Sequence, residues 1–179
     1  IIPDKGYFTA QDDYLSFDYN EMVSHLKDGF GSAQYIDIFP LLALEDYYRT
    51  DTHWKQENLI DVAEKLCKAM GADFTDNFTV NTLENDFYGV YYGQSAMPIS
   101  PDEIKYLTSD VINGCTVYDY EHSKESSVYD MDKAEGNDPY EMFLSGPISL
   151  MEINNPNVKT DRELVIFRDS FGSAIAPLM

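Results

Sequence analysis

Residues 164–179, LVIFRDSFGSAIAPLM, constrain the fold more than any other stretch of this chain. Residues 164–167 are an apolar, β-rich run of four, which predicts a buried strand. Arg168, Asp169 and Ser170 follow without a spacer. Gly172, Ser173 and Ala174 are small enough for a helix to begin close against a sheet. This is a strand–turn–helix elbow with a serine at its tip. Such a turn exposes Oγ and sets it beside the free N–H groups of a helix start, which favour negative charge. A hydroxyl there acts as a nucleophile if a histidine reaches it. The same residues also fit an ordinary serine N-cap, so the choice falls to the rest of the chain.

Charge removes several partners. The 12 Lys and Arg stand against 32 Asp and Glu, a formal net charge of −20, which repels nucleic acid and anionic lipid. A soluble protein handling neutral or weakly charged material fits this balance. With 179 residues there is enough chain for one domain with its own core. No run approaches the ~20 apolar residues of a membrane span. Residues 1–4 read as the end of a strand, a start that a removed leader would also leave. Met179 falls about two turns into the helix after the elbow, so a single domain over 1–179 that is incomplete at its C-terminal end is expected. Cys67 lies on the apolar face of a helix and Cys115 precedes a strand. They are either buried free thiols or, in an oxidising compartment, a Cys67–Cys115 disulfide.

The patterns in chain order predict an edge strand within 1–10, a helix over 18–27 stopped by Gly29, a strand over 35–39 closed by Pro40, and a helical turn over 41–46. Residues 47–53, YYRTDTH, form a loop. Leu59, Val62, Ala63, Leu66, Cys67 and Met70 recur at helical spacing, and Gly71 stops them. Asp51 or Thr52 caps that helix, which puts His53 and Trp54 in its first turn. Residues 78–80 and 87–92 read as a hairpin. Residues 101–107 read as a short helix, with Ser100 as cap and Pro101 in the first turn. A strand over 115–120, a polar loop or flap over 121–138, a strand over 148–153, a turn over 154–157 and a strand over 162–167 complete the pass. Elements alternate at both ends around a β-rich middle, which gives an α/β class with a β-rich insertion or flap over 77–145.

Two weaker signals have plain explanations. Asp130, Asp132, Asp138 and Glu141 have calcium-like spacing, but Gly136 falls one place late and Ala134 occupies a ligand position. They read as a solvated acidic loop. Phe87, Tyr88, Tyr91 and Tyr92 suit either a sheet cover or a sugar-stacking surface. No metal or cofactor motif is present, and neither is expected to bind.

The chain holds three histidines, His25, His53 and His122. His25 lies in a polar helix and His122 in the acidic loop. His53 alone is flanked by an acid, a tryptophan and a helix start. Asp51 two residues earlier can hold its ring, as a general base requires. A capping aspartate beside a surface histidine would look the same.

YYRTDTHW with the helix behind it, together with ELVIFRDSFGSAIAPL, resembles the DHHW family and the related alginate O-acetylation proteins. These are SGNH-hydrolase-like domains in which Asp-x-His precedes the serine. Residues 2–5 and 138–146 are similar to that family as well. The resemblance implies a flavodoxin-like sheet flanked by helices, with Ser170 as nucleophile, His53 as general base and Asp51 as its orienter. It implies a serine O-acyl esterase or O-acyltransferase acting through an acyl-enzyme on cell-surface or extracellular carbohydrate, outside the cytoplasm. Such a domain would take carbohydrate or an acylated small molecule, with no nucleic acid partner and no membrane insertion. The alternative is a carbohydrate-binding or envelope-assembly module that keeps the fold without turnover. Thr52 stands where the four-letter motif has His, and Arg168 where many relatives have Gly. Arg168 and Trp54 are candidate substrate contacts. The Phe171 N–H is the natural oxyanion donor, and Gly146 or Asn154 are candidates for the second.

Overall fold

Tyr48, Trp54, Leu59, Phe87 and Phe143 meet at the centre of the molecule, each no more than 1% exposed. Withdrawing Leu59, Phe87 or Phe143 from water contributes about 1.5–3 kcal/mol each, and the surrounding elements form where the sequence lets them cover this cluster. The computed structural model describes residues 1–10, 15–74 and 77–179.

Helix α1 (Lys5–Thr9) starts at Asp4, whose carboxylate accepts the Tyr7 N–H at 3.3 Å. Helix α2 (Tyr19–Gly29) starts at Asp18, which accepts the Glu21 N–H at 2.9 Å. Each cap satisfies an amide that the first helical turn leaves unpaired. Helix α3 (Ile60–Ala69) buries Val62, Ala63 and Cys67, the face that its apolar spacing selects. It stops before Gly71, whose φ of 68° suits glycine. Strand β1 (Thr79–Phe87) pairs antiparallel with β2 (Asp102–Thr108), from Thr79 opposite Thr108 to Phe87 opposite Asp102. Helix α4 (Val90–Ser95) lies between them in the chain. Helix α5 (Asp110–Gly114) leads into a second antiparallel sheet. There β3 (Thr116–Asp119) lies between β4 (Lys124–Ser126) and β5 (Met151–Asn154). Helix α6 (Met131–Ala134) falls between β4 and β5, and α7 (Ser170–Ile175) follows the elbow.

The class is mixed α/β with small antiparallel sheets. A flavodoxin-like parallel sheet is not found among the described residues. The expected buried strand over 164–167 makes no ladder there, and Leu164, Val165, Ile166 and Phe167 are 50, 75, 40 and 98% exposed. An apolar run becomes a strand only when a neighbour supplies the other half of the ladder.

Other expectations change for local reasons. The strand expected within 1–10 is α1, because Asp4 caps a helix. Residues 35–38 make no ladder, and tight 3-10 turns at Phe39–Leu41 and Leu44–Asp46 take up the following chain. The predicted hairpin arm over 87–92 breaks at Gly89 into α4. The predicted helix over 101–107 is β2. Ile104 and Leu107 are both fully buried, a spacing of three that fits a helix as well as a strand covered on both faces. The polar loop over 121–138 contains β4 and α6 and buries Val128, Tyr129 and Ala134. The strand expected over 148–153 is β5, which begins at Met151 and runs on to Asn154. Cys67 and Cys115 are both free thiols, and burial pushes both up.

Candidate active site

An antiparallel bridge between Tyr47 and Trp54, with the Tyr48 N–H donating to His53 O at 3.0 Å, folds the YYRTDTHW segment into a closed loop. Inside it Asp51 makes a short aspartate turn. Its Oδ1 accepts the His53 backbone N–H at 3.0 Å and lies 2.5 Å from His53 Nδ1. The loop is tied down from two sides. Asp102, at the start of β2, accepts the Arg49 N–H at 3.0 Å, the Thr50 N–H at 2.7 Å and the Thr50 hydroxyl at 2.6 Å. Lys5 Nζ donates to the carbonyls of Tyr48 and Asp51. Neither Asp51 nor Thr52 caps α3, contrary to expectation. A 3-10 turn over Gln56–Asn58 intervenes, and α3 starts from Leu59 without a side-chain cap. That leaves the Asp51 carboxylate free to face the histidine ring.

The elbow supplies the other half. Asp169, not Ser170, is the N-cap of α7. Ser170 stands at the first position of the helix with Oγ 2.8 Å from His53 Nε2, across 117 residues of sequence. Asp51, His53 and Ser170 therefore meet in one line. An ionised Asp51 only accepts hydrogen bonds, so Nδ1 carries the proton towards it, and in the neutral ring Nε2 is left to accept the serine O–H. Asp51 is 3% exposed. Burial works against its ionisation, but hydrogen bonds from the His53 ring, the His53 N–H and the Val90 N–H outweigh it and hold the carboxyl below the usual aspartate range.

Tyr140, 4% exposed, stacks on the His53 ring with centroids 3.9 Å apart and planes 14° apart. Its hydroxyl donates to Ser170 O at 3.4 Å, and burial pushes its phenol well above the ordinary value. The same side chain thus touches base and nucleophile segment. Trp54 is 1% exposed and donates its indole N–H to Phe171 O at 3.0 Å. It holds the elbow from behind rather than contacting substrate, a correction to the expectation. Gln56, fully buried, donates its carboxamide to Ala174 O at 2.7 Å and accepts the Leu107 N–H at 2.8 Å and the Tyr129 hydroxyl at 3.1 Å.

Arg168 does line the cleft, but its guanidinium turns back on the protein. It donates to Ser173 Oγ at 2.5 Å and to Gly146 O at 3.3 Å. A Cβ at Gly172 would lie 3.2 Å from Arg168 Cδ, so glycine there leaves room for this fold-back. The expected oxyanion donor is engaged. The Phe171 N–H donates to Asp169 Oδ1 at 3.0 Å and the Gly172 N–H to the same oxygen at 3.3 Å. Gly146 N–H donates to Phe143 O at 3.3 Å, and Asn154 lies in the β5 ladder opposite Thr116. The N–H of Ser170 itself pairs with none of the described residues.

A cleft of about 590 Å³ opens beside Ser170, walled by His53, Tyr140, Ile148, Met151 and Arg168. Three of the four acidic residues of the calcium-like spacing have other partners. Asp130 caps α6 and accepts the Ser145 hydroxyl at 2.9 Å, Asp138 caps the 3-10 turn Pro139–Met142, and Glu141 pairs with Lys133 at 2.8 Å. Among the described residues no group of His, Cys, Asp and Glu side chains gathers to hold a metal, and no helix is long and apolar enough to cross a membrane. Sequence reasoning missed Tyr140, Gln56, Lys5 and Asp102. Asp138-Pro139 signals a turn before Tyr140, but nothing local says which ring that turn will cover.

No family model matches the chain, and no curated protein matches it either. Solved structures do. A DHHW family protein from Eubacterium siraeum superposes with a TM-score of 0.79 at 22% identity, over 98% of this chain and 63% of that one. PatB1 from Bacillus cereus, solved with a sulfonyl adduct, superposes with a TM-score of 0.66 at 15% identity, over 98% of this chain and 65% of that one. The chain thus spans less than two thirds of the length of either. With its loop, elbow and antiparallel sheets in this arrangement, the chain has the fold of that DHHW family protein and of PatB1.

Proposed function

We propose that this chain is a DHHW-type, SGNH-like serine O-acyltransferase or O-acyl esterase, akin to the alginate O-acetylation proteins and acting outside the cytoplasm on cell-surface carbohydrate. One observation carries this reading: His53 bridges the Ser170 hydroxyl at 2.8 Å and the buried Asp51 at 2.5 Å. The chemistry follows that line. Ser170 Oγ bonds to an acyl carbonyl carbon while its proton passes to His53 Nε2, and Asp51 stabilises the imidazolium that forms. The tetrahedral centre collapses, and the departing alkoxide takes the proton from His53. A sugar hydroxyl or water then gives its proton to His53 and attacks the acyl carbon, and Ser170 leaves, taking that proton back from His53. The Ser170 N–H, which pairs with none of the described residues, is the donor assigned to the developing oxyanion. The sulfonyl adduct on PatB1 supports the reading, because activated nucleophiles acquire such groups. A cleft beside Ser170 with room for a substrate supports it too.

The rival reading, a carbohydrate-binding or envelope-assembly module without turnover, draws on Asp169, which occupies both N–H groups after the serine. A fluorophosphonate probe and a p-nitrophenyl ester separate the two. Wild type labels and hydrolyses the ester, and Ser170→Ala does neither. Equal rates for the two chains would end the serine mechanism. An unlabelled wild type that retains sugar on a glycan array would favour the rival.

A further inference from the structure

We infer that Gly89 and Val90 are positioning residues, a rigid backbone latch that holds the Asp51 carboxylate in the plane where it can serve His53. This rests on the serine–histidine–aspartate reading and goes one step behind it. The His53 side of Asp51 is made locally, by the turn over 51–53. The other oxygen is held from far away in sequence: Oδ2 accepts the Val90 N–H at 3.0 Å. Gly89 presses on the same carboxylate. A Cβ at position 89 would lie 2.6 Å from Asp51 Cγ, and closer still to its Cβ and Oδ2.

Backbone conformation does not explain glycine at this position. Gly89 has φ −80° and ψ −173°, which any residue adopts. Space does explain it: only a residue without a side chain lets the 89–90 amide approach a buried carboxylate so closely. The approach is also fixed from the other side. The Gly89 N–H donates to Thr50 Oγ1 at 3.1 Å, and that hydroxyl donates to Asp102. The Tyr91 N–H donates to Thr50 O at 2.9 Å. The strand-to-helix break at Gly89 therefore grips residues 50 and 51 by backbone bonds, and a carboxylate held on both oxygens cannot rotate away from the ring.

Gly93 provides an internal control. It lies in α4, four residues further on, and a Cβ there meets nothing within 4 Å. The expected result is that Gly89→Ala slows fluorophosphonate labelling of Ser170 on the order of 100-fold, the scale of a misplaced catalytic group, while Gly93→Ala labels like wild type and both variants keep a wild-type fold. A folded Gly89→Ala that labels at the wild-type rate, or an equal loss in Gly93→Ala, overturns the latch. A wild type that does not label at all overturns the serine mechanism instead. A second measurement needs neither activity nor a folded Gly89→Ala: amide hydrogen exchange at Val90 in wild type and in Asp51→Ala. The latch requires Val90 to lose protection when its acceptor is removed, and unchanged protection overturns it.

Discussion

Two aspartate–histidine pairs among the described residues look alike close up. In the site, Asp51 Oδ1 lies 2.5 Å from His53 Nδ1 and accepts the His53 N–H. In the turn after β3, Asp119 Oδ2 lies 2.7 Å from His122 Nδ1, and Oδ1 accepts the N–H groups of Glu121 and His122. Burial opposes ionisation of both carboxylates, yet bonds from the paired histidine hold both below the usual aspartate range. The histidines differ. The His53 side chain is 12% exposed, stacked on Tyr140 and aimed at Ser170, whereas that of His122 is 56% exposed and meets no nucleophile among the described residues. A turn two or three residues long builds such a pair at little cost. A site also needs a ring held in one orientation and a third group delivered by a distant segment.

That contrast can be broken most directly at the two histidines. His53→Ala lowers fluorophosphonate labelling on the order of 1,000-fold or more, and His122→Ala leaves it unchanged. Equal losses would mean that the second pair also reaches the reaction. Tyr140 sharpens the comparison, because no ring among the described residues stacks on His122. Tyr140→Leu lowers kcat about tenfold with little change in KM. Tyr140→Phe keeps most of the rate, since stacking survives and only a 3.4 Å hydrogen bond is lost. A Phe variant as slow as the Leu variant would assign the effect to the hydroxyl.

The smallest effect is on stability against pH. A carboxyl held below its unfolded value stabilises the fold above that unfolded value, ~4 for aspartate, and loses this contribution as pH falls through the folded value. Asp51→Asn therefore lowers Tm by about 2–4 °C at pH 6. Asp119→Asn, in the more open pair, lowers it by less. Both differences shrink as pH approaches 3, which thermal unfolding at a series of pH values would show. A gap that widens in acid would reverse the sign assigned to both carboxylates.

What the sequence makes legible depends on range. Helix α3 is plain in its spacing, and α7 begins at Ser170 because Asp169 and the small residues after it are local signals. The Asp51–His53 pair is local too. The β-sheets are harder, because a strand's identity lies in its partner. Nine consecutive residues of β1 contain Asn81, Glu84, Asn85 and Asp86, which look like a turn until β2 lies alongside with its register shifted between Thr82 and Asp86. Residues 164–167 carry the strongest strand composition in the chain and form no ladder among the described residues. Trp54 invited a functional role by standing beside His53, and packing placed it behind the elbow instead.

Gln56 carries a mechanical consequence. Its one carboxamide joins Ala174 in α7 to Leu107 in β2 and to Tyr129. Peeling the nucleophile's helix away from the body would strand a buried amide with no replacement partner, at about 1–3 kcal/mol for each group left bare. The perch of Ser170 is therefore tied to the body, and its placement is inherited in part from β2, a strand that never touches the reacting atoms.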